Sequence, residues 1–183
     1  MKHVSVFLIA AAVAATLSAA PDKEAPKKTT DMSSPDMAAV LFAANRGEIE
    51  QAEVAYSKLV DSGVKNFAKM MIDDHGKGLT NTTNIMAANK IVAHDAAQDA
   101  IDLRNKSKEL VTNFQTAQGY LDRNYMVAQI EEHQHLLDLL DNKMIPSSRG
   151  EVLTLMTTTR FTVQAHLDRA KAILSGLPQP PQP

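Results

Sequence analysis

Residues 121–144, LDRNYMVAQIEEHQHLLDLLDNKM, decide the fold. Wound at about 100° per residue, they place Asp122, Met126, Gln129, Ile130, His133, Leu137, Leu140 and Met144 on one stripe, with Arg123, Glu131, Asp138 and Asp141 on or toward the other side. A helix with such a stripe has to bury it. One imidazole, His133, sits in the middle of the apolar face. Three other segments repeat the arrangement, each with a single polar residue at its centre.

The first runs from Ser34, a capping residue, through Pro35 and Asp36, which suit a helix start. Its stripe is Met37, Leu41, Ala44, Glu48, Ala52, Ala55 and Leu59, and Asp61-Ser62-Gly63 ends it. The second covers about 64–90 with the stripe Val64, Phe67, Met71, His75, Gly78, Thr82, Ile85 and Asn89. Gly76 and Gly78 weaken it by roughly 1 kcal/mol each relative to Ala, which marks a close backbone contact or a bend. Residues 91–112 read as a less regular connection holding a short helix around 96–110, with His94 exposed near its start. The quoted stretch belongs to a third long helix starting near 114. The last follows Pro146, opens on a Ser148-x-x-Glu151 capping box, and buries Val152, Leu155, Thr159, Thr162, Val163, His166, Ala170 and Ile173.

Four long amphipathic helices predict an all-α fold, an antiparallel four-helix bundle of ferritin-like type over residues 34–175 with a longer crossover between helices two and three. Composition agrees: aromatic residues are 4%, Trp is absent, and helix formers abound. Cysteine is absent too, which excludes disulfides and thiolate ligands. A net charge of −2 with scattered Lys and Arg excludes a nucleic-acid footprint. Residues 1–20, MKHVSVFLIAAAVAATLSAA, have the basic start, apolar centre and small-residue end of a secretory signal. Their apolar run is short of the roughly 20 residues needed to span a bilayer. An exported, periplasmic protein without a transmembrane anchor is expected. Residues 21–33 read as a disordered linker, and 176–183, GLPQPPQP, as a disordered Pro-rich tail.

Glu48, His75, His133 and His166 all point into the predicted interior. Burying a carboxylate there is costly unless it is paired or bound to a cation. If the turns near 62 and 146 share one end, the first three residues lie within about one turn of each other and His166 one to two turns deeper. Three imidazoles and a carboxylate suit one transition metal ion, Zn, Fe, Mn or Cu, with Asp74 and Asp122 orienting the imidazoles from behind. The competing reading is a buried hydrogen-bond network in a non-catalytic envelope module. Met71 and Met126 read as core filler. Glu132 and His135 form a Glu-x-x-His pair, but both fall away from the core stripe, and Ile130, Ile72 and Val163 precede the inward histidines by three. A carboxylate-rich di-iron centre is therefore not expected.

The run Glu48-Ile-Glu50, then Val64-Lys-Asn-Phe-Ala-Lys-Met-Met71-Ile-Asp-Asp74-His75, resembles the first half of the domain of unknown function 4142 family, exported bacterial proteins with a ferritin-like bundle. Leu121-Asp122-Arg123-Asn124-Tyr125 with His133 matches its second half, with Leu for Phe. Arg160-Phe161 stands where the family has Leu-Pro before His166. The resemblance covers about residues 36–174. It implies the bundle fold and export, supplies no activity, and marks Glu48, Asp74, His75, Asp122, Tyr125, His133 and His166 as recurrent polar positions.

Overall fold

The structure, a computed structural model, describes residues 31–119 and 121–179. The expected signal at 1–20, most of the linker at 21–33 and the last residues of the tail lie outside them.

Among the described residues the chain is all-helical, with no strand. Helix α1 spans Ser34–Tyr56. Ser33, one residue before the expected cap, accepts the Asp36 N–H through its Oγ at 3.2 Å. Helix α2 spans Ser62–Ala88, and its Asp61 cap takes the N–H groups of Gly63 and Val64 at 2.8 and 3.0 Å. Helix α3 spans Gln98–Thr116 and α4 Leu121–Leu139. A π-helical turn, Leu140–Met144, and the single turn α5, Ile145–Ser147, lead to α6, Gly150–Gly176.

The connection between the second and third predicted helices is the main correction. Where the residue pattern predicts a short helix inside an irregular crossover, α3 is 19 residues long and lies along α1. Ala100, Leu103, Ser107, Leu110, Val111 and Phe114 form its buried stripe, which continues past the charged residues where the pattern fades. The close approach to α1 depends on Gly47: a Cβ there would stand 2.9 Å from Ser107 Oγ. Because 114–116 finish α3, α4 starts at Leu121 rather than near 114.

A fifth long helix also changes which turns share an end. One apolar cluster gathers Met37, Met86, Ala100, Met144 and Val152, so the α4–α6 connection lies there. The other gathers Leu59, Val64, Phe114, Leu121 and Leu177, with the α1–α2 turn. The two turns therefore sit at opposite ends, not at one. Leu177, assigned to the tail, is buried in the second cluster. The capping box does not form: Ser148 Oγ donates to the Ile145 carbonyl, and the Glu151 carboxylate accepts from Asn89 Nδ2 at 2.9 Å. The chain leaves α5 extended at Ser148 and Arg149, and Gly150, at φ +57°, turns it into α6. No helix among the described residues is long and apolar enough to cross a membrane.

Between the two apolar clusters lies a belt of buried polar side chains: Asn45, Glu48, Gln51, His75, Ser107, Gln129, His133 and His166. Met71 and Met126 are fully buried in the second cluster, as core filler.

Candidate metal centre

Measured from the end that holds the α1–α2 turn, His75 lies 13 residues past Ser62, His133 12 past Leu121, and His166 10 before Gly176. At 1.5 Å per residue these are depths of about 15–20 Å. The three histidines are therefore level, and the expected offset of His166 disappears once the last helix is counted from the correct end.

The imidazoles are 5%, 2% and 3% exposed. Their ring centroids are 5.7 Å (His75–His133), 5.4 Å (His75–His166) and 5.4 Å (His133–His166) apart. One ring nitrogen from each lies within 4.8 Å of the others. The outer nitrogens show which ones. His75 Nδ1 is 3.1 Å from Asn45 Oδ1, His133 Nδ1 is 2.8 Å from the Gln129 carbonyl oxygen, and His166 Nε2 is 3.3 Å from Asp74 Oδ2. The Asn45 amide is oriented by its Nδ2, which donates to the Leu41 carbonyl at 2.7 Å. All three outer partners accept only, so each outer nitrogen carries the proton. The inner nitrogens, Nε2 of His75, Nε2 of His133 and Nδ1 of His166, are then bare lone pairs. The 3.4 Å between His133 Nε2 and His166 Nδ1 is lone pair facing lone pair, not a hydrogen bond.

Charge does not relieve this. Burial, then the neighbouring His133 and His166, hold His75 well below its usual range. Burial likewise lowers His133 and His166 to about 4. Three neutral imidazoles thus converge lone pairs on one point, each backed by an acceptor that fixes its tautomer, the arrangement of metal-binding histidines. Zn–N bonds of about 2.0–2.1 Å set tetrahedral ligands roughly 3.3–3.4 Å apart, the separation seen for His133 and His166.

The carboxylates divide. Asp74 stands behind His166, its other oxygen 2.9 Å from Lys77 Nζ. Glu48 is buried, but its Oε1 is 3.7 Å from His133 Nδ1, the nitrogen facing away from the meeting point. It is not gathered with the three lone pairs. Asp122 is not at the site: it accepts the Val60 and Asp61 N–H groups at 3.0 and 2.9 Å, closing the α1–α2 turn. Tyr125 packs edge-on to Phe67 and Phe114, and its hydroxyl has no partner among the described residues. Burial, then the Glu48 charge, push its phenol pKa well up.

Several residues escaped the sequence reading, Gln51 and Ser107 of the belt among them. Glu132, assigned to the outside, turns inward: its Oε2 accepts from Gln51 Nε2 at 2.6 Å, and Gln51 Oε1 accepts from Gln129 Nε2. Burial pushes Glu48 up to about 7; burial and the Glu48 charge push Glu132 up to about 8. The two acids form a pair on the Nδ1 side of His133. Asn45 was a further omission. Its signal was available: it shares a helix face with Glu48, three residues on.

The residues that build this site all fall inside one family match, a domain of unknown function, DUF4142, over residues 18–173. The chain belongs to the DUF4142 family. No curated protein and no solved structure matches it. The site thus belongs to the DUF4142 domain itself, and its geometry carries the functional reading.

Gly78 of this DUF4142 domain has a defined task. A Cβ there would lie 2.6 Å from Asn45 Oδ1, so the missing side chain is what admits the amide that holds His75. A Cβ at Gly76 would meet nothing within 4 Å. Gly78→Ala should leave metal-free stability within about 1 kcal/mol, helix propensity offsetting the clash. It should weaken the hold of the three histidines on any ion they bind about 10–100-fold, as loss of an outer partner does. Chelator competition checks the affinity and urea unfolding the stability; equal losses in Gly76→Ala would refute the assignment.

Proposed function

We propose that this DUF4142 protein binds one divalent transition metal ion through His75, His133 and His166, within a ferritin-like scaffold in which α1, α2, α4 and α6 supply the site and its support, and that it does so as an exported, periplasmic protein. The observation that supports the reading is the convergence of three buried, neutral imidazole lone pairs with every outer nitrogen already committed to an acceptor. A self-sufficient hydrogen-bond network would aim an N–H at a lone pair; here lone pairs face each other. Neutral nitrogen donors without thiolates suit Zn²⁺, Cu²⁺ and Fe²⁺, and among first-row divalent ions bind Mn²⁺ most weakly.

The test is metal analysis of the protein purified without a polyhistidine tag, beside His75→Ala/His133→Ala and Glu48→Gln. One ion per chain is expected in the parent and in Glu48→Gln, and none in the histidine double variant. No metal in any of them, after exposure to Zn²⁺, Fe²⁺, Mn²⁺ and Cu²⁺, would leave the belt as a structural network of an envelope module.

A further inference from the structure

The three-histidine set has a second property, resting on the metal reading above. Its donors are neutral, so a divalent ion held there keeps its full charge among groups shielded from water, which is costly without a counter-charge. Among the described residues no carboxylate supplies one at the meeting point. Asp74 has one oxygen on His166 Nε2 and the other on Lys77. Glu48 stands on the far side of His133. The missing charge has to come from outside the described residues.

There is a route for it. Between α2 and α6 runs a groove of about 440 Å³. His75 and His166 line it and His133 does not, so the groove approaches the three-nitrogen set from the α2–α6 side. Its walls carry neutral hydrogen-bonding side chains, Asn81 on α2 and Thr158 and Thr159 on α6. Among the described residues the only acid lining it, Asp74, is the one paired with Lys77. We infer that the groove between α2 and α6 is a binding site for a small monoanion, hydroxide or a pseudohalide or carboxylate of similar size, which completes the coordination of the ion on His75, His133 and His166. In this arrangement the ion sits at the floor of an open site, not in a closed structural one.

The test uses the full chain loaded with Co²⁺ and titrated with azide, read by the visible ligand-field bands. A saturable spectral change at one azide per cobalt is expected. Two variants fill the groove from opposite walls: Thr159→Phe, at a partly exposed position, and Asn81→Phe, at an exposed one. Each should hold cobalt as the parent does and bind azide at least ~10-fold more weakly. Cobalt bound with bands indifferent to excess azide would overturn this inference and leave the metal reading standing. So would azide affinity equal to the parent's in both filled variants. Failure to bind cobalt or any other ion would overturn both.

Discussion

On the proposed three-histidine site, Zn²⁺ in excess should raise the melting temperature of the metal-free protein by about 8–16 °C. An ion that binds only the folded chain stabilises it by about 4 kcal/mol when free metal is a thousandfold above Kd. For a domain of this size each kcal/mol moves the transition by about 2–4 °C. The unfolded chain, with its histidines scattered over helices α2, α4 and α6, offers no comparable site. His75→Ala/His133→Ala keeps one imidazole of the three and should show no shift. Scanning calorimetry with and without metal decides it; a shift of equal size in the double variant would place the ion elsewhere on the molecule.

The second large effect belongs to the metal-free protein: its stability should peak near pH ~6 and fall on both sides. His133 and His166 are held at about 4 by burial, against the ordinary histidine value of 6.5, and His75 lies well below that value. A histidine lowered in this way contributes stability above pH 6.5 and loses it as pH falls toward 4, because the unfolded chain takes up protons first. Glu48 at about 7 and Glu132 at about 8 work oppositely, raised by burial from 4.5. Their contribution is complete below pH 4.5 and is lost as pH rises through 7 to 8. Three histidines outweigh two acids on the acid side by about one proton, or roughly 1.4 kcal/mol per pH unit, so about 2–3 kcal/mol is lost between pH 6 and 4. The alkaline decline is about 1–2 kcal/mol by the same linkage. Glu48→Gln/Glu132→Gln should abolish the alkaline limb and steepen the acid one, because the three histidine protons are then unopposed. Urea midpoints across about pH 4–8.5 measure both, and a profile that only rises with pH would rule out the buried acid pair.

How far the sequence reached is clearest at individual residues. His75, His133 and His166 were readable because each is the imidazole at the centre of a mainly apolar stripe, a position where periodicity is strongest. Their common level was not, since depth depends on which end each helix is counted from, and that depends on whether residues 98–116 make one more full-length pass. The pattern there is diluted by Lys106, Lys108 and Glu109, and Gly47, which lets α3 settle on α1, lies far away in the chain. Glu132 failed for a different reason. It sits at the flank of its stripe, where a rotation of some 20–40° decides between core and solvent, and what draws it in is Gln51 on another helix. Asp122 is on the stripe but in the first turn of α4, where a carboxylate serves the backbone N–H groups of the neighbouring turn. Periodicity names a face; it does not tell which partner waits there.

An odd number of long passes has a mechanical consequence. The described chain enters at one end, where the Met32 N–H meets Ser147 Oγ, and leaves at the other, where Leu177 packs with Leu59 and Leu121. With α6 running 27 residues, the two ends stand about 40 Å apart. The described chain thus crosses the domain from end to end and does not return to its starting point. A pull applied through the two ends loads α1 and α6 along their axes in shear instead of peeling one helix away, and copies fused end to end would string out like beads with the histidine belt at the middle of each.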